Sequence, residues 1–445
     1  MLQHRRLALV VLAALLVVYV YNFCAIAPGY GVLDWIHWEG NHGNSDVMNA
    51  TLGFERIFVI NLPSRRDRRD AMTLAGAVSN LNLTFIKGLT GDKVTLPVHT
   101  NSVEDDPSGM RSFHSMGARG SWGSHLSALQ AIVELGLGSA LVLEDDVDWD
   151  VRLKAQMQTF ATASQMWLDA QQQRGSMNGF LAASTSTEAD FERNIIPLLP
   201  HSPSFDRYSR TTHGMSPYGE EWDILWLGHC GADLPNTHRD AGSGVHPSPS
   251  STSAKSWASS SLEITIADDE TVPAPKHLQP HPFALHDALA DAYPAHTRVV
   301  HAVRGNVCSL GYAVSQDGAR KLLRRFSKDG FVTQWDLMLR DYCMGEKQIG
   351  ESEKFGRGKK KGKGKGDHES LICLTVQPPL ISHRYVQEGG ASVSDISGQG
   401  GGFTRTKTGT PYVRLSVQDN LDRLLAGYPE ERLVDQLPDD GNLLW

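Results

Sequence analysis

The stretch at positions 140–148 reads Ala-Leu-Val-Leu-Glu-Asp-Asp-Val-Asp and joins an apolar run directly to four carboxylates within five positions. The apolar part predicts a buried strand. Adjacent carboxylates repel one another, so their clustering at a strand end favours a divalent cation that takes oxygen ligands. The alternative is the acidic first turn of a helix that starts near Asp148. The spacing alone leaves these two interpretations evenly balanced.

Apolar segments on either side of this stretch alternate between strand and helix patterns. Positions 56–61 read as a buried strand, and positions 123–135 place their apolar residues on one helical face before a glycine stop. Positions 222–227 and 310–314 read as further strands, and positions 318–326 as another helix. This alternation predicts an α/β domain with a mostly parallel central sheet flanked by helices.

A second polar feature follows the first predicted strand. Asn61 closes that strand, and four arginines follow at positions 65, 66, 68 and 69. Guanidinium groups suit phosphate oxygens, and so does a helix N-terminus. The alternative is a solvent-exposed basic helix, which is the commoner outcome for an isolated charge run. A carboxylate cluster and an arginine cluster, each at a strand end, together indicate a site for a metal-bound diphosphate.

The composition argues against several other classes of protein. The chain has 445 residues with 42 Lys or Arg and 50 Asp or Glu, which gives a net charge of −8. No nucleic-acid partner is expected, because binding through the overall charge needs clustered Lys and Arg. Five cysteines without a Cys-x-x-Cys pair argue against a disulfide scaffold and against structural zinc. Cys308, Cys343 and Cys373 are candidates for pairing, but their partners cannot be read from the sequence.

An apolar run at positions 7–27 is long enough to span a bilayer, since about 20 apolar residues cover the hydrocarbon core. Basic residues precede this run, which predicts a single-pass type II membrane protein with a cytosolic tail at 1–6 and a signal anchor at 7–27. The alternative is a cleaved signal peptide that ends at the Ala-Ile-Ala of 25–27. Either interpretation places the rest of the chain in the secretory pathway, in the lumen of the Golgi or the endoplasmic reticulum.

The segment after the apolar run divides into a stem at 28–53 and a folded domain at 54–445. Two stretches of this domain, near 229–297 and 350–368, are rich in Ser, Pro and His or in Gly and Lys, and are predicted to be disordered insertions. Asn-x-Thr sequons at Asn49 and Asn82 are compatible with a lumenal domain, although such tripeptides also occur by chance.

Five short blocks occur in a specific order. They are Phe-Val-Ile-Asn-Leu-Pro-Ser-Arg-Arg-Asp-Arg-Arg at 58–69, Gly-Ser-Trp-Gly-Ser-His-Leu at 120–126, Ala-Leu-Val-Leu-Glu-Asp-Asp-Val at 140–147, Trp-Asp-Ile-Leu-Trp-Leu-Gly at 222–228 and Gly-Tyr-Ala-Val-Ser-Gln-Asp-Gly-Ala-Arg-Lys-Leu-Leu at 311–323. In these blocks the chain resembles glycosyltransferase family 25, which includes procollagen and lipooligosaccharide galactosyltransferases. The resemblance implies a GT-A type nucleotide-diphosphosugar transferase. It further implies inverting transfer of a hexose, galactose, from a UDP-sugar to a hydroxyl of a glycan or protein acceptor.

The resemblance also implies a metal and a catalytic base. Glu144 and Asp146 are expected to hold Mn²⁺, with His383 as a late ligand. Inverting transfer needs a general base beside the acceptor hydroxyl, and Asp336 is the first candidate. The alternative role for Asp336 is the N-cap of a helix over 337–342.

The same resemblance assigns residues to the nucleotide and to the cleft. The residues expected beside the nucleotide are Asn61, Arg65, Arg68, Ser124 and Asp145. His125 lies in the same block as Ser124 and is expected to line the cleft as a second catalytic candidate.

Two other functions fit the same carboxylates. An inactive binding or scaffold protein of the secretory pathway would keep the fold, but it predicts a broken acidic motif, whereas 144–146 are intact. A metal-dependent phosphohydrolase would need a second cluster of His and Asp ligands for a two-metal site. No such cluster is evident in the sequence outside the predicted insertions, so the transferase is favoured.

Overall fold

The computed structural model of the chain describes residues 47–94, 115–174, 195–198, 216–235, 260–281, 284–345, 370–386 and 409–444. All of these residues belong to one compact unit. The predicted tail and signal anchor, most of the predicted stem and the predicted insertion at 350–368 lie outside the described residues. Within the described part of the chain, no helix is both long enough and apolar enough to cross a membrane.

The described residues form strands and helices that alternate along the chain. The strands are β1 (Arg56–Asn61), β2 (Leu83–Lys87), β3 (Ser139–Glu144), β4 (Val147–Trp149), β5 (Ile195–Pro197), β6 (Ile224–Gly228), β7 (Glu263–Ile266), β8 (Arg298–Ala302), β9 (Gly311–Ser315), β10 (Cys373–Gln377) and β11 (Ile381–His383). The α-helices are α1 (Arg66–Val78), α2 (Met116–Glu134), α3 (Leu153–Arg174), α4 (Leu289–Ala292), α5 (Gln316–Asp329), α6 (Trp335–Met344) and α7 (Leu421–Leu425). Short 3-10 helices cover Gly91–Lys93, Pro275–His277 and Glu430–Arg432.

The strands form one sheet with the order β2-β1-β3-β9-β6-β10-β8-β7-β5, and β11 connects β4 to β6 beside it. β1 pairs parallel with both β2 and β3. β6 and β10 run in the same direction as β3, because β9 is antiparallel to both β3 and β6 while β10 is parallel to β6. The carboxyl ends of β1, β3, β6 and β10 therefore meet at one edge of the sheet, where open α/β sheets bind ligands.

Alternation along each strand divides the hydrophobic core into two layers. In β3, Leu141 and Leu143 belong to the layer that contains residues of α1 and α3. Ala140 and Val142 belong to the opposite layer, which contains residues of α2, α5 and α6. The sheet is thus covered by helices on both faces, as predicted for this α/β domain.

The predicted helices form, but they start earlier than the apolar pattern indicated. α2 begins at Met116 rather than near 123, because Ser115 caps it by accepting a bond from the Ala118 amide at 3.0 Å. α5 begins at Gln316, where the Ser315 hydroxyl accepts from the Gly318 amide at 3.0 Å. Serine caps of this kind satisfy amides of the first turn that have no partner within the helix.

The prediction of a mostly parallel sheet needs a correction. Most strands of the hydrogen-bonded order point the same way, but β8 and β9 run against them, so half of the adjacent pairs in that order are antiparallel. Parallel pairing requires a long crossover, usually a helix. Neither β8 nor β9 directly follows a long helix. The sequence pattern indicated where strands lie along the chain, but it did not indicate their direction in the sheet.

The stretch at 229–297, predicted to be a disordered insertion, contains an ordered strand. All four residues of β7 are buried, and β7 pairs with β5 and β8 at the far side of the sheet. Its apolar pattern is only four residues long and lies among Ser, His and Pro residues. That is too short for periodicity to distinguish it from a loop.

Four cysteines form two disulfides, Cys230–Cys308 and Cys343–Cys373. The first joins the loop after β6 to the loop before β9, and the second joins the end of α6 to the start of β10. Cys24 lies outside the described residues. The disulfides fasten loops to a sheet that already has its own core, so the expectation that the fold is not a disulfide scaffold agrees with this arrangement.

The ion pair between α5 and the start of β6 provides a test of how this helix packs on the sheet. Asp223, 2% exposed, lies just before β6 and accepts bonds from Lys321 of α5 at 2.9 and 3.1 Å. Lys321→Met leaves a buried carboxylate without its cation, so we expect a loss of about 3 kcal/mol in the free energy of unfolding, measured with urea. The adjacent control Arg320→Met removes an exposed pair with Asp317 and should cost at most about 1 kcal/mol. Equal losses in both variants would contradict the assignment.

Candidate active site

The acidic run lies at the sheet edge where β1 and β3 end. Asn61 is the last residue of β1, and Glu144, the last residue of β3, pairs in register with Ile60. Asp145 and Asp146 form the turn into β4. The alternative of an acidic helix start is wrong, because the next helix, α3, begins only at Leu153.

Asp145 is held by two donors from the β1–α1 connection. Its Oδ2 accepts a bond from Asn61 Nδ2 at 2.7 Å, and its Oδ1 accepts from Arg68 Nη1 at 2.7 Å. Asn61 Nδ2 also donates to the Arg65 carbonyl at 3.0 Å, which ties the strand end to the helix start. Burial and the negative charge of Asp146 raise the pKa of Asp145 to about 6, against the opposing effect of Arg68.

Asp146 has two basic neighbours. Its Oδ2 lies 2.8 Å from Arg68 Nη1 and 3.4 Å from His383 Nε2. Burial opposes ionisation of Asp146, but the charges of His383 and Arg68 outweigh it and hold the pKa of this carboxyl below its ordinary value. The Oδ1 atom is buried and accepts no hydrogen bond from the described residues. The Arg384 amide donates to the Asp146 carbonyl at 2.9 Å, which fixes the end of β11 beside the turn.

Glu144 lies among a different set of residues. Its Oε1 accepts a bond from Ser309 Oγ at 2.8 Å and lies 3.6 Å from His125 Nε2. His125 is buried, contacts the Tyr312 hydroxyl through Nδ1 at 3.0 Å, and stacks on Trp335 with ring centroids 4.8 Å apart. These contacts hold the imidazole in one orientation beside the carboxylate.

Asp336 lies near the group formed by Glu144, Ser309 and His125. It is the second residue of α6, and its Oδ2 accepts a bond from the Cys308 amide at 2.7 Å. Burial raises the pKa of Asp336, and the charge of Glu144 adds to the increase. The alternative that Asp336 caps a helix over 337–342 is wrong, because α6 starts at Trp335 with Gln334 in the cap position.

The fourth carboxylate of the run has a structural role. Asp148 is fully buried in β4 and accepts bonds from Thr410 Oγ1 at 2.9 Å, from the Gln418 amide at 3.2 Å and from the Ser416 hydroxyl. Burial raises the pKa of Asp148 to about 6. These bonds fasten the C-terminal segment that begins at 409 to the end of the sheet.

Two predicted nucleotide residues are engaged elsewhere. Ser124 is buried in α2, where its hydroxyl donates to the Gly120 carbonyl at 2.7 Å and accepts from the Leu89 amide at 2.8 Å. Arg65 precedes α1 and pairs with the exposed Asp67 at 2.8 Å. Their contact with a nucleotide stays a prediction.

The three predicted metal ligands do not lie together: two belong to the group around Asp146 and one to the group around Glu144. Asp146 and His383 are neighbours, whereas Glu144 contacts Ser309 and His125. No group of three or more His, Cys, Asp or Glu side chains gathers as a metal site in the part of the chain that the structure describes. The buried, unpartnered Oδ1 of Asp146 nevertheless offers an anionic oxygen of the kind that Mn²⁺ takes, and the adjacent imidazole is a suitable second ligand.

Sequence reasoning missed Ser309 and Tyr312, which orient Glu144 and His125. Tyr312 lies inside one of the matching blocks, so the block itself was a signal. Ser309 comes two residues before β9, and only the antiparallel entry of β9 between β3 and β6 brings it to Glu144. No sequence pattern indicated that placement.

The bridging role of Arg68 can be tested by unfolding measurements. Arg68→Met leaves the buried Asp145 and the partly buried Asp146 without their shared cation, so we expect a loss of about 3 kcal/mol in the free energy of unfolding at pH 7.5. The loss should shrink at pH 5, because protonated carboxyls need no counter-charge. The control Arg66→Met, at an exposed position of the same helix, should stay within about 0.5 kcal/mol of the parent at both pH values. A loss in Arg68→Met that does not change with pH would contradict the electrostatic role.

Comparison with known proteins bears on the region that contains most of this site. Residues 54–233 match the family model "Glycosyltransferase family 25 (LPS biosynthesis protein)". The chain is also 30% identical over 112 residues to procollagen galactosyltransferase 1 of Danio rerio and to procollagen galactosyltransferase 2 of Mus musculus and Homo sapiens. Each alignment covers 24% of this chain and 18% of the relative. Asn61, Arg68 and the acidic run lie within the matched range, whereas Asp336 and His383 lie beyond it, so the similarity to glycosyltransferase family 25 covers the acidic turn but not these two later residues.

Proposed function

We propose that the chain is a glycosyltransferase that moves galactose from a UDP-sugar to a hydroxyl of a glycan or protein acceptor, with inversion. The observation that carries this proposal is the acidic turn at the end of β3, where Arg68 contacts both Asp145 and Asp146 inside the family 25 region. The relatives are procollagen galactosyltransferases, which supports galactose as the sugar.

The group around Asp146 is proposed to bind the donor diphosphate. Arg68 is partly buried beside the turn and carries a positive charge that suits phosphate oxygens. Asp146 and His383 would hold Mn²⁺, which supplies charge neutralisation for the leaving diphosphate when bound. Asn61 and Asp145 hold the guanidinium of Arg68 and the turn in place.

The group around Glu144 is proposed to serve the acceptor. Asp336 takes the proton of the acceptor hydroxyl, and its raised pKa makes it a stronger base than an ordinary carboxylate. Glu144 accepts a hydrogen bond from the same hydroxyl or from the sugar. His125 is buried under Trp335 and acts by positioning Glu144.

We further propose that the protein is a type II membrane protein of the Golgi or the endoplasmic reticulum. The apolar run at 7–27 supports an anchor. The two disulfides support an oxidising compartment, since such bonds are rare in the cytosol.

Donor hydrolysis tests the proposed reaction without a known acceptor. Purified protein is incubated with UDP-galactose, UDP-glucose or UDP-N-acetylglucosamine, with Mn²⁺ or with EDTA, and UDP release is measured. We expect release from UDP-galactose that EDTA abolishes and that Asp146→Asn lowers at least about 100-fold. The control Asp70→Asn, at an exposed position of α1, should release UDP at the parental rate. The absence of both UDP release and metal-dependent UDP binding by calorimetry would refute the transferase and favour an inactive scaffold.

The proposed base is tested by separating binding from chemistry. Asp336→Asn should lower kcat by about 10²–10⁴-fold, because the base is lost, while the affinity for UDP stays within about twofold. The matched control is Asp341→Asn, which should keep the parental kcat. Asp341 lies in the same helix, and its carboxylate pairs with Arg340. A parental kcat in Asp336→Asn would assign Asp336 a structural role only.

A further inference from the structure

Two sequons, Asn49-Ala-Thr51 and Asn82-Leu-Thr84, lie side by side in the folded protein. The backbone amide of Asn82 donates a hydrogen bond to the Ala50 carbonyl at 2.7 Å. The two asparagine side chains nevertheless have opposite environments. This difference allows the structure to distinguish between two tripeptides that the sequence alone treats as equivalent.

The side chain of Asn49 is built into a turn. Its Oδ1 accepts bonds from the Thr51 amide at 2.7 Å, from Thr51 Oγ1 at 3.1 Å and from the Gly53 amide at 3.1 Å. Its Nδ2 atom is buried and has no hydrogen-bond partner among the described residues. A sugar attached to Nδ2 would have to occupy space that protein atoms fill, so this turn is incompatible with a glycan on Asn49.

The side chain of Asn82 is exposed. It lies directly before β2, which is the outermost strand at its end of the sheet and pairs with β1 alone among the described strands. A sugar attached to the exposed Asn82 therefore extends away from the described protein, beside the strand that ends the described sheet. An N-linked glycan is bulky and soluble, so an exposed position of this kind suits it.

We propose that Asn82 carries an N-linked glycan and that Asn49 carries none. In this reaction the Asn82 amide nitrogen forms a bond to C1 of an oligosaccharide supplied on a lipid diphosphate. The bond between C1 and the diphosphate oxygen breaks, the lipid diphosphate leaves, and the amide nitrogen loses one proton. The inference rests on the proposed entry of the chain into the secretory pathway, and it is independent of the proposed transferase activity.

The test uses the full chain expressed in cells that glycosylate secretory proteins and purified in folded form. The readouts are the shift in mass on treatment with peptide N-glycosidase and the identification of the modified asparagine by peptide mass spectrometry. We expect one glycan, at Asn82. Thr84→Ala removes the sequon without changing the asparagine and should abolish the shift, whereas the matched variant Thr84→Ser keeps the sequon and should retain it.

A second pair of variants separates the alternatives. Asn49→Asp keeps the acceptor oxygen of the turn but removes the sequon, so the mass shift should stay parental. A reporter sequon made by Glu430→Asn with Arg432→Thr, at two exposed positions, should add a second glycan. A reporter glycan without one at Asn82 would overturn the site assignment. No glycan at either position would overturn the proposed entry into the secretory pathway and the assignment with it, and a glycan at Asn49 in folded protein would overturn the distinction between the sequons.

Discussion

Arg68 provides the positive charge that allows two adjacent carboxylates, one buried and one partly buried, to lie at the end of a strand. Asp145 and Asp146 repel each other, and the guanidinium lies 2.7 and 2.8 Å from one oxygen of each. This contact also joins α1 to the turn after β3. His383, at the end of β11, contacts Asp146 as well. The helix α1, the turn after β3 and the end of β11 thus meet at these two carboxylates. Their relative positions depend on the balance of charge there.

The end of β3 at Glu144 divides the acidic run between two environments, because Asp145 and Asp146 lie in the turn that follows. Glu144 continues the face of Val142 and meets His125 and Ser309, whereas Asp145 meets Asn61 and Arg68. Carboxylates that are neighbours in sequence therefore have different partners. An enzyme that must bind an anionic leaving group and also accept a proton needs such a separation.

The sequence predicted the parts of the site that lie within continuous motifs. The buried strands, the acidic run and the arginine cluster were recognisable, because each depends on local spacing. The direction of β8 and β9, the short strand β7 and the contact of Ser309 with Glu144 were not, because they depend on how distant segments pair. The separation of Glu144 from Asp146 was not predictable from strand alternation, which places residues two apart on the same face. It arises because β3 ends at Glu144 and because Asp145 and Asp146 form the turn that follows.

The Cys343–Cys373 bond has a consequence for the chain between its two cysteines. In the folded protein the bond holds the end of α6 and the start of β10 together with Cα atoms 5.6 Å apart, and it joins the same two cysteines in the unfolded chain. The entropy of closing that loop is therefore lost in both states, and lengthening the loop adds little to the cost of folding. An affinity tag or a reporter domain inserted between these two cysteines is accordingly expected to cost the fold little stability.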